Sequence, residues 1–146
     1  MTRINYKTLY DSDFALWIED TVSKLKRKKF DSIDWENLIE EVESLAKRDK
    51  RELKSRLITL LEHLLKRKYV PLSNCYRGWE ITIKRTQSKL KDILVDSPSL
   101  KNFLVSIYLD CYQEALETVQ LEYDFKFTEI CPFPQNIDVL LTKKLY

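Results

Sequence analysis

DWENLIEEVESLAKRDKRELKSRLITLLEHLLKRKY, residues 34–69, decides the fold. It contains neither glycine nor proline, it is built from strong helix formers, and it holds the single histidine of the chain. Two apolar patterns share it. Trp35, Leu38, Ile39, Val42, Leu45 and Ala46 recur at i, i+3/i+4 spacing and mark a one-sided amphipathic helix. Leu57, Ile58, Leu60, Leu61, Leu64 and Leu65 spread over a wider arc, as on a helix surrounded by others, and mark the core. Between Lys47 and Ser55 the only apolar side chain is Leu53. A straight helix over 34–69 runs roughly 54 Å at 1.5 Å per residue, against a radius of gyration of roughly 15 Å for a compact domain of this length. Asp49 three residues before Glu52 has capping-box spacing. The sequence therefore predicts a bend or break near Lys47–Lys50.

Working outward, Asp11-Ser12-Asp13 offers a helix cap, and Phe14, Trp17, Ile18, Thr21, Val22 and Leu25 give a preceding stripe that closes on the basic run Lys24–Lys29. Pro71 ends the leucine-rich helix. A further helix over about Cys75–Val95 turns Trp79, Ile83, Thr86, Leu90, Ile93 and Leu94 inward. Ser97-Pro98 suits another helix start, with Leu100, Phe103, Leu104, Ile107, Cys111, Ala115 and Val119 as its stripe. Asn136–Leu145 reads as a short last helix. The expected fold is all-α, a compact single-domain bundle of about five or six helices over 1–146.

Totals exclude several classes. One glycine in 146 residues disfavours hairpin-rich β structure and phosphate-cradling loops. A net charge of +2 is too small to imply a nucleic-acid partner. Cys75, Cys111 and Cys131 have neither CxxC spacing nor a histidine neighbour, so they read as reduced thiols with no metal role. No apolar run approaches the roughly 20 residues of a membrane span, and the N-terminus has no signal-like apolar segment. These features point to a cytoplasmic protein without membrane attachment and imply no cofactor.

Three constellations carry potential chemistry. Glu36, Glu40 and Glu43 share one helix side, but the ferritin-like pattern needs paired Glu-x-x-His motifs, and Leu60 stands three residues before His63. Pairs such as Glu43–Lys47 and Glu52–Arg56 account for much of this charge as a solvated face. The second constellation centres on His63, off the leucine stripe near Arg56, Thr59 and Arg67. An antiparallel return after Pro71 sets Trp79, with Arg77 and Glu80, at the same level. A site of His63, Trp79, Arg77 and Arg56, joined by Glu40 and Glu43, could hold an anion or small ligand, with His63 as the candidate acid or base. Its alternative is a packing seam. A straight helix keeps Glu43 roughly 30 Å from His63, so the site needs the break. Third, Lys66, Arg67, Lys68, Arg77, Lys84 and Arg85 form a basic surface that could contact nucleic acid. Motifs of the common catalytic classes are absent. The leading reading is a binding or protein–protein interaction module, self-association included, rather than an enzyme.

The segments DFALWIEDTVSKLKRKKFDSIDWENLIEEVESLAKRDKRELKSRLITLLEHLLK and RGWEITIKRTQSKLKDILVDSPSL, with a late CPFP, resemble the domain of unknown function family 29, small all-helical bacterial proteins. The resemblance runs from about Tyr10 to Leu141. Members often carry Ser where this chain has Gly78 and Gly where it has Ala46. It implies an all-helical fold and a bacterial cytosolic setting, and it brings no mechanism.

Overall fold

The computed structural model describes residues 8–146. Every regular element among them is helical: α1 (Leu9–Ser12), α2 (Phe14–Lys26), a 3-10 turn (Phe30–Ser32), α3 (Trp35–Tyr69), α4 (Ser73–Asp96), α5 (Leu100–Glu122) and α6 (Ile137–Thr142). Contacts group these helices into two compact units, Met1–Ala46 and Lys47–Tyr146.

The expected break near Lys47–Lys50 is absent. Helix α3 continues without interruption through those residues. Lys, Arg and Glu are strong helix formers, and Asp49 is the one weaker former among them, so this stretch without Gly or Pro has no reason to stop. What changes there is the environment: the unit boundary falls between Ala46 and Lys47.

In the first unit, α2 and the start of α3 form an antiparallel hairpin. Tyr10, just before α2, hydrogen-bonds the Glu41 carboxylate, whereas Lys24, near the end of α2, donates to the Ser32 carbonyl at 2.9 Å. Asp13 caps α2 by accepting from the Leu16 amide at 3.1 Å, and Asp34 accepts from the Asn37 amide at 3.3 Å. Helix α2 ends with the amides of Lys28 and Lys29 bonded to the carbonyls of Leu25 and Lys24. That is a Schellman closure, and it places Lys28 at φ 57°, a left-handed position usually given to glycine.

The second unit holds the main core. Leu53, Leu57, Leu60, Leu61, Leu64 and Leu65 of α3 are buried with Trp79, Ile83 and Leu90 of α4 and Leu104, Cys111, Ala115 and Val119 of α5. Tyr108, Tyr112 and Leu116 are buried too, although the α5 stripe read from the sequence omits them. Both tyrosines are buried because their hydroxyls find partners in the segment after α5. Tyr108 donates to the Pro134 carbonyl at 2.9 Å and Tyr112 to the Thr128 carbonyl. Gln87 of α4 closes α6 by donating to the carbonyls of Leu140 and Lys143. Helix α5 begins at Leu100, after a turn in which the amides of Leu100 and Lys101 bond the carbonyls of Ser97 and Pro98.

Candidate functional site

The first unit exposes the side that its sequence pattern marks as apolar. On α2 only Trp17 and Thr21 are buried, while Phe14, Ile18 and Val22 face solvent. On α3 the exposures are 45 % for Trp35, 54 % for Ile39, 58 % for Val42 and 52 % for Leu45. The part-covered side of this half of α3 carries Asn37, Leu38, Glu41 and Ser44 instead. Its anchor is polar, the Tyr10–Glu41 hydrogen bond, with Tyr10 also packed edge-on to Phe14 and Trp17. Donating to that carboxylate pushes the pKa of the Tyr10 phenol up to about 12. The Trp35 indole N–H is satisfied locally by the Phe30 carbonyl at 3.0 Å, and the ring meets that of Phe30 at 6.4 Å while staying about half exposed.

Glu36, Glu40 and Glu43 are exposed on the side of α3 turned away from Val42, and none is in an ion pair among the described residues. The expected Glu43–Lys47 pair does not form there, whereas Glu52–Arg56 does, at 2.8 Å. Lys26 and Arg27 on α2 border a shallow depression of about 460 Å³ that also touches Ile18, Glu19, Val22 and Ser23.

In the second unit the seam around His63 is centred on a different residue. His63 is half-buried, and its Nδ1 donates to the Thr59 carbonyl at 2.8 Å, leaving Nε2 as the unprotonated nitrogen of the neutral ring. Burial lowers its pKa; the Thr59 bond opposes this, Lys66 adds to it, and Glu122 opposes it. Trp79 is buried against Tyr76 and Tyr123, with centroids 6.0 and 6.2 Å away. Lys66 joins these environments. Its ammonium sits 5.7 Å from the Trp79 ring centre and 3.6 Å from the Glu122 carboxylate. Nearby Glu62 has a raised pKa, because burial outweighs the attraction of Lys66.

The remaining sequence candidates lie apart from this seam. Glu80 pairs with Arg67 at 3.0 Å rather than with His63, and Arg67 lies on the Tyr76 ring at 3.9 Å. Arg56 is held by Glu52, and Arg77 is exposed without an ion pair among the described residues. Glu40 and Glu43 belong to the first unit, and the helix break needed to fold them towards His63 does not occur. Two cations of the six-residue basic surface are engaged internally, Lys66 with Trp79 and Glu122, and Arg67 with Glu80.

Sequence reading placed Lys66 on the basic surface and not in this seam, because a lysine among leucines looks like a break in the stripe. Its one signal was position: it follows His63 by three residues on the face turned to Trp79. Cys111 is buried, and burial pushes its thiol up to about 11, the profile of an unreactive core cysteine. Among the described residues no group of His, Cys, Asp and Glu side chains converges as a metal requires, and no helix is long and apolar enough to cross a membrane.

No curated protein and no solved structure matches the chain significantly. The match lies in a family model, described as domain of unknown function DUF29 and spanning residues 9–145. With an all-helical fold and nearly the whole chain covered, the protein belongs to the DUF29 family.

Proposed function

We propose that this protein is a protein–protein interaction module whose binding face is the exposed apolar side of the first unit. The observation that carries this reading is the exposure of Trp35, Ile39, Val42 and Leu45 along one side of α3. Single exposed apolar residues are ordinary on a protein surface. A regular stripe of large ones, with a second stripe on α2, is what a binding surface presents. Recognition of this kind lays an amphipathic helix against apolar anchors at i, i+3/i+4 and i+7. Aromatic side chains bury roughly 150–250 Å² each and aliphatic ones less, so two half-exposed aromatics and five half-exposed aliphatics offer on the order of 600 Å². A standard interface takes about 800 Å² from each partner.

The test is a photo-crosslinking residue placed at Val42 in the full chain within its native cells. Discrete protein adducts are expected there and not from the same residue at Lys91, an exposed position on α4. Absence of any adduct from Val42 sinks the reading.

A further inference from the structure

Next to its exposed stripe, α2 turns a second row of side chains towards Tyr10 and Asp34. Asp20, Lys24, Trp17 and Thr21 fall at about 240–340° on the α2 wheel, with Phe14 at 0° and Ile18 and Val22 at about 40–80°. Together with Tyr10 and Asp34 they line a cavity of about 180 Å³. Trp17 and Thr21 are only 4 % and 5 % exposed. Neither the Trp17 indole N–H nor the Thr21 hydroxyl bonds another described residue, yet no polar side-chain atom there is sealed off without a partner. Both groups therefore reach open space, and the cavity is the space that both residues line.

The charges around the cavity select an occupant. Asp20 and Asp34 line it with one cation, Lys24, whose ammonium is already taken up by Asp20 at 2.8 Å and the Ser32 carbonyl at 2.9 Å. Asp34 accepts from the Asn37 backbone amide at 3.3 Å and side-chain amide at 2.6 Å. Each carboxylate offers about four lone-pair sites, more than these donors fill. The surplus is negative charge and acceptor capacity, which repels anions and favours a cation that brings its own donors. The indole N–H and the threonine hydroxyl call in addition for an acceptor. A volume of about 180 Å³ is about six water volumes at roughly 30 Å³ each and below the roughly 300 Å³ at which pockets for drug-sized ligands begin. We propose that this cavity binds a small ammonium compound that carries its own hydroxyl or carbonyl oxygen. Its nitrogen lies against Asp20 and Asp34, and its oxygen meets the Trp17 N–H and the Thr21 hydroxyl.

The probe is ethanolamine, titrated at constant ionic strength into the full chain and followed by heteronuclear NMR. The readout is the indole N–H signal of Trp17, with those of Trp35 and Trp79 as internal references. So small a probe supports only weak affinity, and saturation of the Trp17 shift is expected at millimolar ethanolamine. Ethylene glycol keeps the oxygen and lacks the charge, so it is expected to bind at least about tenfold more weakly. Thr21→Val keeps the side-chain shape and loses the hydroxyl, and an affinity about tenfold below wild type is expected. Asp20→Asn, at a part-exposed position, removes one carboxylate with a loss of the same order and serves alone if the Thr21 variant folds poorly. A Trp17 signal that ethanolamine does not move, or moves no more than the other two indoles, overturns the proposal. So does a signal that acetate moves and ethanolamine does not, or binding that Asp20→Asn leaves unchanged.

Discussion

The two halves of α3 share one helix and a helical apolar repeat that is wider in the second half, yet they live in opposite surroundings. From Leu53 to Leu65 the stripe is sealed by α4 and α5, and six leucines are essentially inaccessible. From Trp35 to Leu45 the stripe is open, and the covered side is the polar one. Periodicity says that a helix has two faces. Which face is covered depends on what the rest of the chain supplies, and among the described residues the first unit supplies α1, α2 and a short 3-10 turn.

Substitution can break or sharpen this contrast. Leu61→Ala in the closed half should cost about 3 kcal/mol of unfolding free energy through lost burial and a residual cavity. Ile39→Ala in the open half, measured in dilute solution, should change it by less than about 0.5 kcal/mol, because alanine is the better helix former and little packing is lost. Urea titration of both variants compares them directly. Equal losses would show that the open half is covered after all.

Lys66→Ala should cost about 1–2 kcal/mol, since the lysine stem and ammonium cover Trp79. The loss should exceed that of Lys68→Ala, whose side chain is exposed. If the two losses match in the same titration, Lys66 is no seam residue.

The smallest effect is a slope. His63 titrates below its ordinary 6.5, so the unfolded chain binds its proton more readily. Its contribution is full above pH 6.5 and is lost as pH falls through the lower folded value. Glu62, raised above its ordinary 4.5, contributes below that pH and loses its contribution as pH rises through the folded value. His63→Gln should therefore flatten the loss of stability on acidification below pH 6.5 and leave the opposing Glu62 trend. An unaltered slope in pH-dependent unfolding would assign that loss to other groups.

The helices themselves were legible in the sequence, because stripes at Leu57–Leu65, Trp79–Leu94 and Leu104–Val119 are long and periodic. The cap offered by Asp11-Ser12-Asp13 forms at Asp13, whose side chain accepts an amide hydrogen bond, whereas the start expected at Ser97-Pro98 falls later, at Leu100, with no side-chain cap. The break near Lys47 was misread. Compactness argued for it, but the local chemistry of Lys47–Arg51 favours helix, and local propensity prevailed. The burial of Tyr108 and Tyr112 could not be seen, because the carbonyls that satisfy them come from residues 128 and 134 in an irregular segment. For the candidate site, residue type singled out His63 and Trp79 but not the lysine between them. Cation–aromatic contacts leave no spacing rule in a sequence.

The continuity of α3 has a consequence for recognition. A short isolated helix is marginal in water, since its first turn fixes several dihedrals for one hydrogen bond. Residues 35–46 avoid that nucleation problem, because they extend a helix whose later turns are locked in a core. The apolar stripe is thus presented in its final conformation before anything covers it. A partner meeting it does not have to order the backbone, and the conformational entropy usually lost on association is already spent in folding.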